Sequence, residues 1–367
     1  MKNVVLCCDG TANEFARDRT NVVKLFYAIE HDTSRQVVYY HPGLGTMEPT
    51  GALTGFGKAI TKLLGKAIGY GLEADVRDAY VFLMNNFSPD DRVYLFGFSR
   101  GAYTVRVVAS LLHMYGLLPK GNEPLVPYAI RMMTADTRER VLLANEFRGT
   151  FSTLCKPWFV GVWDTVSSVG WIENPLRVPY TANNPDIEVG RQAISIDEHR
   201  AFFRQNLWRL PALTQSLAAP VPAGPKDVKQ VWFPGVHGDV GGGYPEAESG
   251  LSKIALEWML AEAHANHLLL NKDRTDVVLG KKGAGYVSPD PTANMHESLT
   301  VAWWPAEFVL KKHYDWRTGE TGRRMNLFRR RTIPPGASVH ESAYKRGPEY
   351  QHRLPPDAIR VTSLPLS

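Results

Sequence analysis

Short apolar runs bounded by Gly, Pro or Asp alternate along this chain with stretches whose apolar residues recur at helical spacing. Five runs read as buried strands: Val4–Cys8, Gln36–Tyr40, Arg92–Phe96, Trp158–Trp163 and Val228–Phe233, all rich in β-branched or aromatic residues. Between them, Asn21–His31 follows Thr20 as a cap, and Gly71–Asn85 keeps apolar residues near helical spacing. Ala102–Met114 and Leu251–Ala265 are the clearest helices. This alternation predicts an α/β fold built on a mostly parallel sheet with helices on both faces.

The same pattern predicts one domain over 1–367, with a core at about 1–267 and insertions at 120–150 and 165–226. Pro124–Phe147 reads as helical without a strand partner, which suits a cap over the sheet. Thr165–Gln192 is interrupted by Pro175, Pro179 and Pro185, and Pro211–Lys226 is rich in proline and alanine. Residues 268–367 read as an irregular C-terminal extension packed on the core. Loops of such length are often functional.

Composition narrows the class. The first residues form a strand pattern too brief for a signal peptide, and no stretch reaches the roughly 20 apolar residues of a membrane span. The expectation is a chain made and folded in a reducing cytoplasm. Cys7, Cys8 and Cys155 have no paired spacing and read as small core residues, not as a disulfide or metal site. The net charge of +5 is modest. No nucleic-acid-binding pattern is present, and no cofactor is implied. The oligomeric state stays open.

The sharpest signal is Gly97-Phe98-Ser99-Arg100-Gly101, a match to G-x-S-x-G that follows the strand Arg92–Phe96 and opens the helix from Ala102. A tight strand-to-helix turn strains the serine backbone and lifts its hydroxyl above the sheet. Neighbours crowding the turn must lack a Cβ, hence Gly97 and Gly101. The helix start also aims backbone N–H groups at a developing oxyanion. The competing reading is a glycine-rich turn in which Ser99 merely caps the helix.

A serine nucleophile needs a base and an acid to orient it, in the chain order Ser, Asp or Glu, His. Asp164 ends an apolar strand, and His237 stands in a glycine-rich loop after another. Asp239 is an alternative acid, or a tie for that loop. Backbone N–H groups of Arg100, Gly10 and Thr11 are the candidate oxyanion hole, with Asp9 holding their loop. Two other readings compete. Asp9, Asp164, His237 and Asp239 gathered around a metal would suit a phosphatase or phosphodiesterase. However, a haloacid-dehalogenase nucleophile would stand where Cys7 is. A non-catalytic binding module on a hydrolase scaffold is the third.

Taken in order, Cys8-Asp9-Gly10-Thr11, Tyr39–Thr46, Phe96–Tyr103, Val162–Val166 and Pro234–Tyr244 resemble the domain of unknown function 2235 family. That family includes the catalytic domain of type VI secretion phospholipase effectors. The resemblance covers roughly the first 260 residues. It implies an α/β-hydrolase fold and a Ser99–Asp164–His237 triad and, for the effector members, hydrolysis of lipid or phospholipid acyl esters; delivery by a specialised secretion system is the route open to a chain of that kind. Two segments fit contact with a membrane surface: a basic amphipathic pattern over 53–68, and the run of positive charge over 311–331. A solvated helix face or surface gives the same patterns.

Overall fold

The structure, a computed structural model, describes residues 1–10, 19–43, 55–134, 140–166, 170–171, 174–175, 178–201, 203–208, 224–314 and 321–366. For 55–70 it gives the course of a helix backbone only. The main strands are β1 (Asn3–Cys8), β2 (Gln36–His41), β3 (Arg92–Phe98), β4 (Pro157–Trp163), β5 (Val189–Ser195), β6 (Asp227–Phe233), β7 (Ser338–His340) and β8 (Ile359–Val361). Among the described residues they form one sheet in the order β8-β7-β6-β5-β4-β3-β1-β2. Every neighbouring pair is parallel.

A parallel sheet must be covered on both faces, and β1 shows how its sequence meets that demand. Its side chains alternate between two cores. Val4, Leu6 and Cys8 pack with α2 (Gly55–Asn86) and α3 (Arg100–Tyr115), whereas Val5 and Cys7 pack with α1 (Asn21–Ala28) and α7 (Gly250–Ala265). All three cysteines are buried and unpaired. Thr20 caps α1 by accepting the Val23 N–H at 3.3 Å. The fold is α/β-hydrolase-like, with helices on both faces of the sheet. Among the described residues, no helix is long and apolar enough to cross a membrane.

Three segments depart from the pattern expected of them. The stretch 165–226 is not wholly an insertion, because it holds β5, a central strand between β4 and β6. Gly190-Arg191-Gln192 breaks the apolar run there, and partners compensate for the buried polar groups. Arg191 pairs with Glu262 and Asp227, each at 2.6 Å, and Gln192 accepts from Arg106 at 2.8 Å. The C-terminal segment is not irregular either. It adds β7 and β8 to the sheet, and Val339, Ala343, Tyr350 and Leu354 form a third core with Ile194 and Trp232. Strands of three residues carry too short a pattern to be read. The helices α4 (Val126–Thr134) and α5 (Arg140–Phe151) do not stand apart as a cap. Ala129, Ile130, Met133, Ala144 and Phe147 extend the α2–α3 layer. The amphipathic pattern over 53–68 lies outside the described side chains.

Candidate active site

The chain leaves β1 toward β2 on one side and returns to β3 on the other. That reversal opens a crevice at the carboxyl ends of β1 and β3, where open α/β sheets bind ligands. Ser99 stands at this edge, partly exposed, between β3 and α3.

Its backbone is strained in the manner the turn demands: φ is 58° and ψ −120°, outside the regions an L-residue ordinarily occupies. Packing enforces the bend. A Cβ on Gly97 would stand 2.5 Å from the Gly101 carbonyl oxygen, and one on Gly101 would stand 2.2 Å from that of Cys8. Only glycine lets α3 start this close to β1 and β3. Ser99 makes no side-chain cap bond with α3, so the helix does not engage its hydroxyl.

Asp164 follows β4, and the Ser99 N–H donates to the carbonyl of its neighbour Trp163 at 3.2 Å. Serine and aspartate are thereby fixed at adjacent strand ends. His237 begins α6 (His237–Gly241), just after β6. Its Nδ1 stands 2.6 Å from Asp164 Oδ2. An ionised carboxylate only accepts, so Nδ1 carries the proton and the Nε2 lone pair is left for a proton to be taken. The imidazole lies between Phe98, stacked at 4.6 Å, and Phe203, edge-on at 4.8 Å. Asp164 and His237 are hydrogen-bonded to one another. Ser99 is brought alongside them through its backbone and its neighbour Phe98, not by a bond from its hydroxyl.

Asp164 is almost fully buried, and burial by itself would push its carboxyl up. The Arg331 guanidinium, with the charge and hydrogen bond of His237, outweighs burial and holds it well below the usual carboxylate range. Arg331 Nη1 reaches Oδ1 at 2.5 Å and Nη2 reaches Oδ2 at 3.1 Å. The Ser195 N–H donates to Oδ1 at 3.0 Å.

The loop before His237 is held by three other carboxylates. Asp197 accepts from the Gly235 N–H at 2.8 Å, Glu198 from the His237 N–H at 3.2 Å, and Asp239 from the Val236 N–H at 3.0 Å. Burial opposes the charge of Glu198, yet Arg200, with Arg331 and His237 nearby, pulls its carboxyl down to about 2. Asp239 is therefore joined not to His237 but to His296, whose Nδ1 lies 2.6 Å away.

Asp9 accepts from the Thr20 hydroxyl at 2.5 Å and from the Tyr40 hydroxyl at 3.0 Å. It also accepts the Gly10 N–H at 2.7 Å, which takes up the donor expected to face an oxyanion. Thr11 lies outside the described residues. The Arg100 N–H stands at the first position of α3, directly after Ser99. The four residues of the metal reading are not drawn together, since Asp9 and Asp239 are each committed elsewhere. Among the described residues, no group of three or more His, Cys, Asp or Glu is arranged to hold a metal ion.

Glu198, Phe203 and Arg331 join the site without having been expected there. Asp197-Glu198-His199-Arg200 is a charge cluster visible in the sequence, just beyond the end of β5. Arg331 carries no signal beyond membership of a basic run.

A family model described as "T6SS, Phospholipase effector Tle1-like, catalytic domain" matches residues 2–262. An uncharacterized protein of Saccharomyces cerevisiae is 37% identical over 221 residues, 56% of this chain and 32% of that protein. Two solved structures are similar at low identity. One is an uncharacterized protein from Pseudomonas aeruginosa (TM-score 0.48, 21% identity, 78% of this chain and 49% of that one). The other is the Tle1 effector bound to the VgrG spike of the type 6 secretion system (TM-score 0.35, 19% identity, 68% and 52%). The chain thus spans about a third of the yeast protein and about half of each solved chain.

Proposed function

This chain belongs to the family of Tle1-like phospholipase effector catalytic domains of type VI secretion, and from that premise we propose that it is a serine hydrolase of lipid carboxylic esters. Ser99 is the nucleophile, His237 the base and Asp164 the orienting acid. The observation that carries this reading is the 2.6 Å Asp164–His237 pair beside a serine held at positive φ.

The chemistry follows from those positions. Nε2 of His237 takes the Ser99 proton as Oγ attacks the ester carbonyl carbon, and the carbonyl oxygen becomes an oxyanion. Asp164 stabilises the imidazolium and keeps the ring in its working tautomer. The Arg100 N–H, backed by the start of α3, is one donor to the oxyanion. Collapse expels the alcohol with the proton from Nε2 and leaves an acyl-serine. Water, deprotonated by the same nitrogen, then releases the acid and restores Ser99.

A lipid surface as the place of reaction draws support from a second feature. The segment 301–331 holds eight Lys and Arg against three Asp and Glu, a net +5 that equals the formal charge of the whole chain. Trp304, Phe308, Leu310, Met325, Leu327 and Phe328 are exposed on it. Phe328 meets Trp304 at 5.8 Å and Phe308 at 5.7 Å. Leu327 and Phe328 both stand at positive φ, and the buried Glu307 accepts the Phe328 N–H at 3.0 Å. Apolar side chains on a segment that also exposes Arg323, Arg324, Arg329 and Arg330 suit the boundary between anionic headgroups and acyl chains. The patch adjoins the site, because Trp303 packs on Phe203 at 5.6 Å and Phe203 on His237. Delivery by a type VI machinery, through its spike, belongs to the same proposal.

A fluorophosphonate probe tests the reading. It labels the native protein at Ser99, and a panel of lipid and nitrophenyl esters is hydrolysed by wild type but not by Ser99→Ala. Failure to label, or activity that survives the substitution, overturns it.

A further inference from the structure

We infer that Arg331 is a positioning residue for the catalytic acid, supplied by a segment beyond the 2–262 span that matches the family model; the inference rests on the serine-hydrolase reading above.

The geometry is that of a fork closed on a carboxylate. Both terminal nitrogens of Arg331 reach Asp164, one to each oxygen. The same nitrogens are anchored from behind. Nη1 also donates to Ser195 Oγ at 2.7 Å, and Nη2 to the Phe203 carbonyl at 2.5 Å. The guanidinium is almost fully buried, with 5% side-chain exposure. A planar group held at both ends fixes the plane of the carboxylate it meets, which a point-charge ammonium does not. With Oδ1 taken by Arg331 and the Ser195 N–H, Oδ2 is the oxygen turned to His237. Holding the Phe203 backbone, Arg331 also steadies the ring that lies edge-on to the base.

Charge gives the arrangement a second consequence. The groups facing Asp164 are His237 from α6, the Ser195 N–H at the end of β5 and Arg331 from the C-terminal segment. Glu198 and Arg200 stand just beyond, near His237 and Arg331. Burial is already the largest single influence on the Asp164 carboxyl; remove Arg331, and of the side chains that oppose burial only His237 is left, so the carboxyl takes up a proton at higher pH. A protonated acid no longer orients or stabilises the imidazolium.

The test compares wild type, Arg331→Ala and Arg331→Lys on a soluble nitrophenyl ester across pH, after fluorophosphonate labelling of each. The expected result for Arg331→Ala is a kcat about 10²-fold lower, the scale of a misplaced catalytic group. KM should hold within about threefold, and the acid limb of the pH profile should move upward. Arg331→Lys keeps part of the activity. Guanidinium ion added at millimolar concentration restores part of the loss in Arg331→Ala, whereas equal sodium chloride does not. Wild-type labelling with a full-activity Arg331→Ala and an unmoved acid limb overturns the role alone. So does a loss shared equally by Arg331→Lys and indifferent to guanidinium. If Arg331→Ala does not fold, the acid limb of Arg331→Lys decides the same question. A wild type that no fluorophosphonate labels overturns the hydrolase reading and this role with it.

Discussion

The Asp164 carboxylate and Nδ1 of His237 stand 2.6 Å apart although 73 residues separate them along the chain. β5 and β6 close that gap, because their parallel pairing delivers the histidine loop to the carboxyl edge where β4 ends. The pair predicts a steep dependence on the acid. Asp164→Asn should lower kcat by about 10⁴-fold, since an amide no longer selects the tautomer that leaves Nε2 unprotonated. Steady-state kinetics on a soluble ester measures it, and a loss under tenfold would speak against the role.

Ser99→Ala should abolish probe labelling and lower ester turnover at least about 10³-fold, while leaving the melting temperature close to wild type. The alanine removes one oxygen from a partly exposed position, so folding has little to lose.

Gly101→Ala should be costly to the fold itself. The new methyl would meet the carbonyl oxygens of Cys8 at 2.2 Å and Asp9 at 2.5 Å, and backbone on both sides cannot turn aside. A loss of about 1–3 kcal/mol in denaturant titration is expected, with a fall in activity as α3 and the Arg100 N–H are displaced. A variant of wild-type stability would refute the close approach.

Glu198 predicts a pH window for stability. Its carboxyl is held at about 2 in the fold and lies higher in the unfolded chain. The stability it contributes is therefore present above its unfolded value and is lost as pH falls toward 2. For a group this buried the contribution is on the order of 3 kcal/mol. Glu198→Gln should melt lower than wild type at neutral pH, and the gap should shrink as pH falls to the acid end of the window. A gap that stays constant across the titration would disprove the linkage.

Phe328→Ser should separate surface binding from chemistry. Turnover of a soluble short-chain ester should stay within about twofold, while hydrolysis of anionic vesicles should fall roughly tenfold, the worth of one aromatic side chain leaving an apolar boundary. Arg323→Glu should weaken vesicle binding further at low salt than at high salt. Equal losses on both substrates would place the patch outside the docking step.

Much of the layout was legible because it is written in local pattern. The five apolar strands and the elbow around Ser99 follow from short apolar runs bounded by Gly, Pro or Asp, from glycines without room for a Cβ, and from strand ends marked by Asp164 and His237. β5 escaped because Arg191 and Gln192 interrupt its apolar run, and their partners Glu262, Asp227 and Arg106 are distant in sequence. Arg331 escaped for a related reason. Its neighbours Arg329 and Arg330 are exposed and it is not, and no feature of three consecutive arginines tells which one turns inward. The fate of the Gly10 N–H likewise depended on a side-chain rotamer of Asp9, which spacing does not encode.

The two short strands that complete the sheet come from the far end of the chain, where β7 lies against β6 and β8 against β7. A protein cut back to the matched span would leave the rim of β6 with bare amide and carbonyl groups, directly beneath the histidine loop. Such a rim recruits strands from neighbouring molecules, so the shortened enzyme would tend to clump. Work that needs this domain in isolation should keep the chain through Val361.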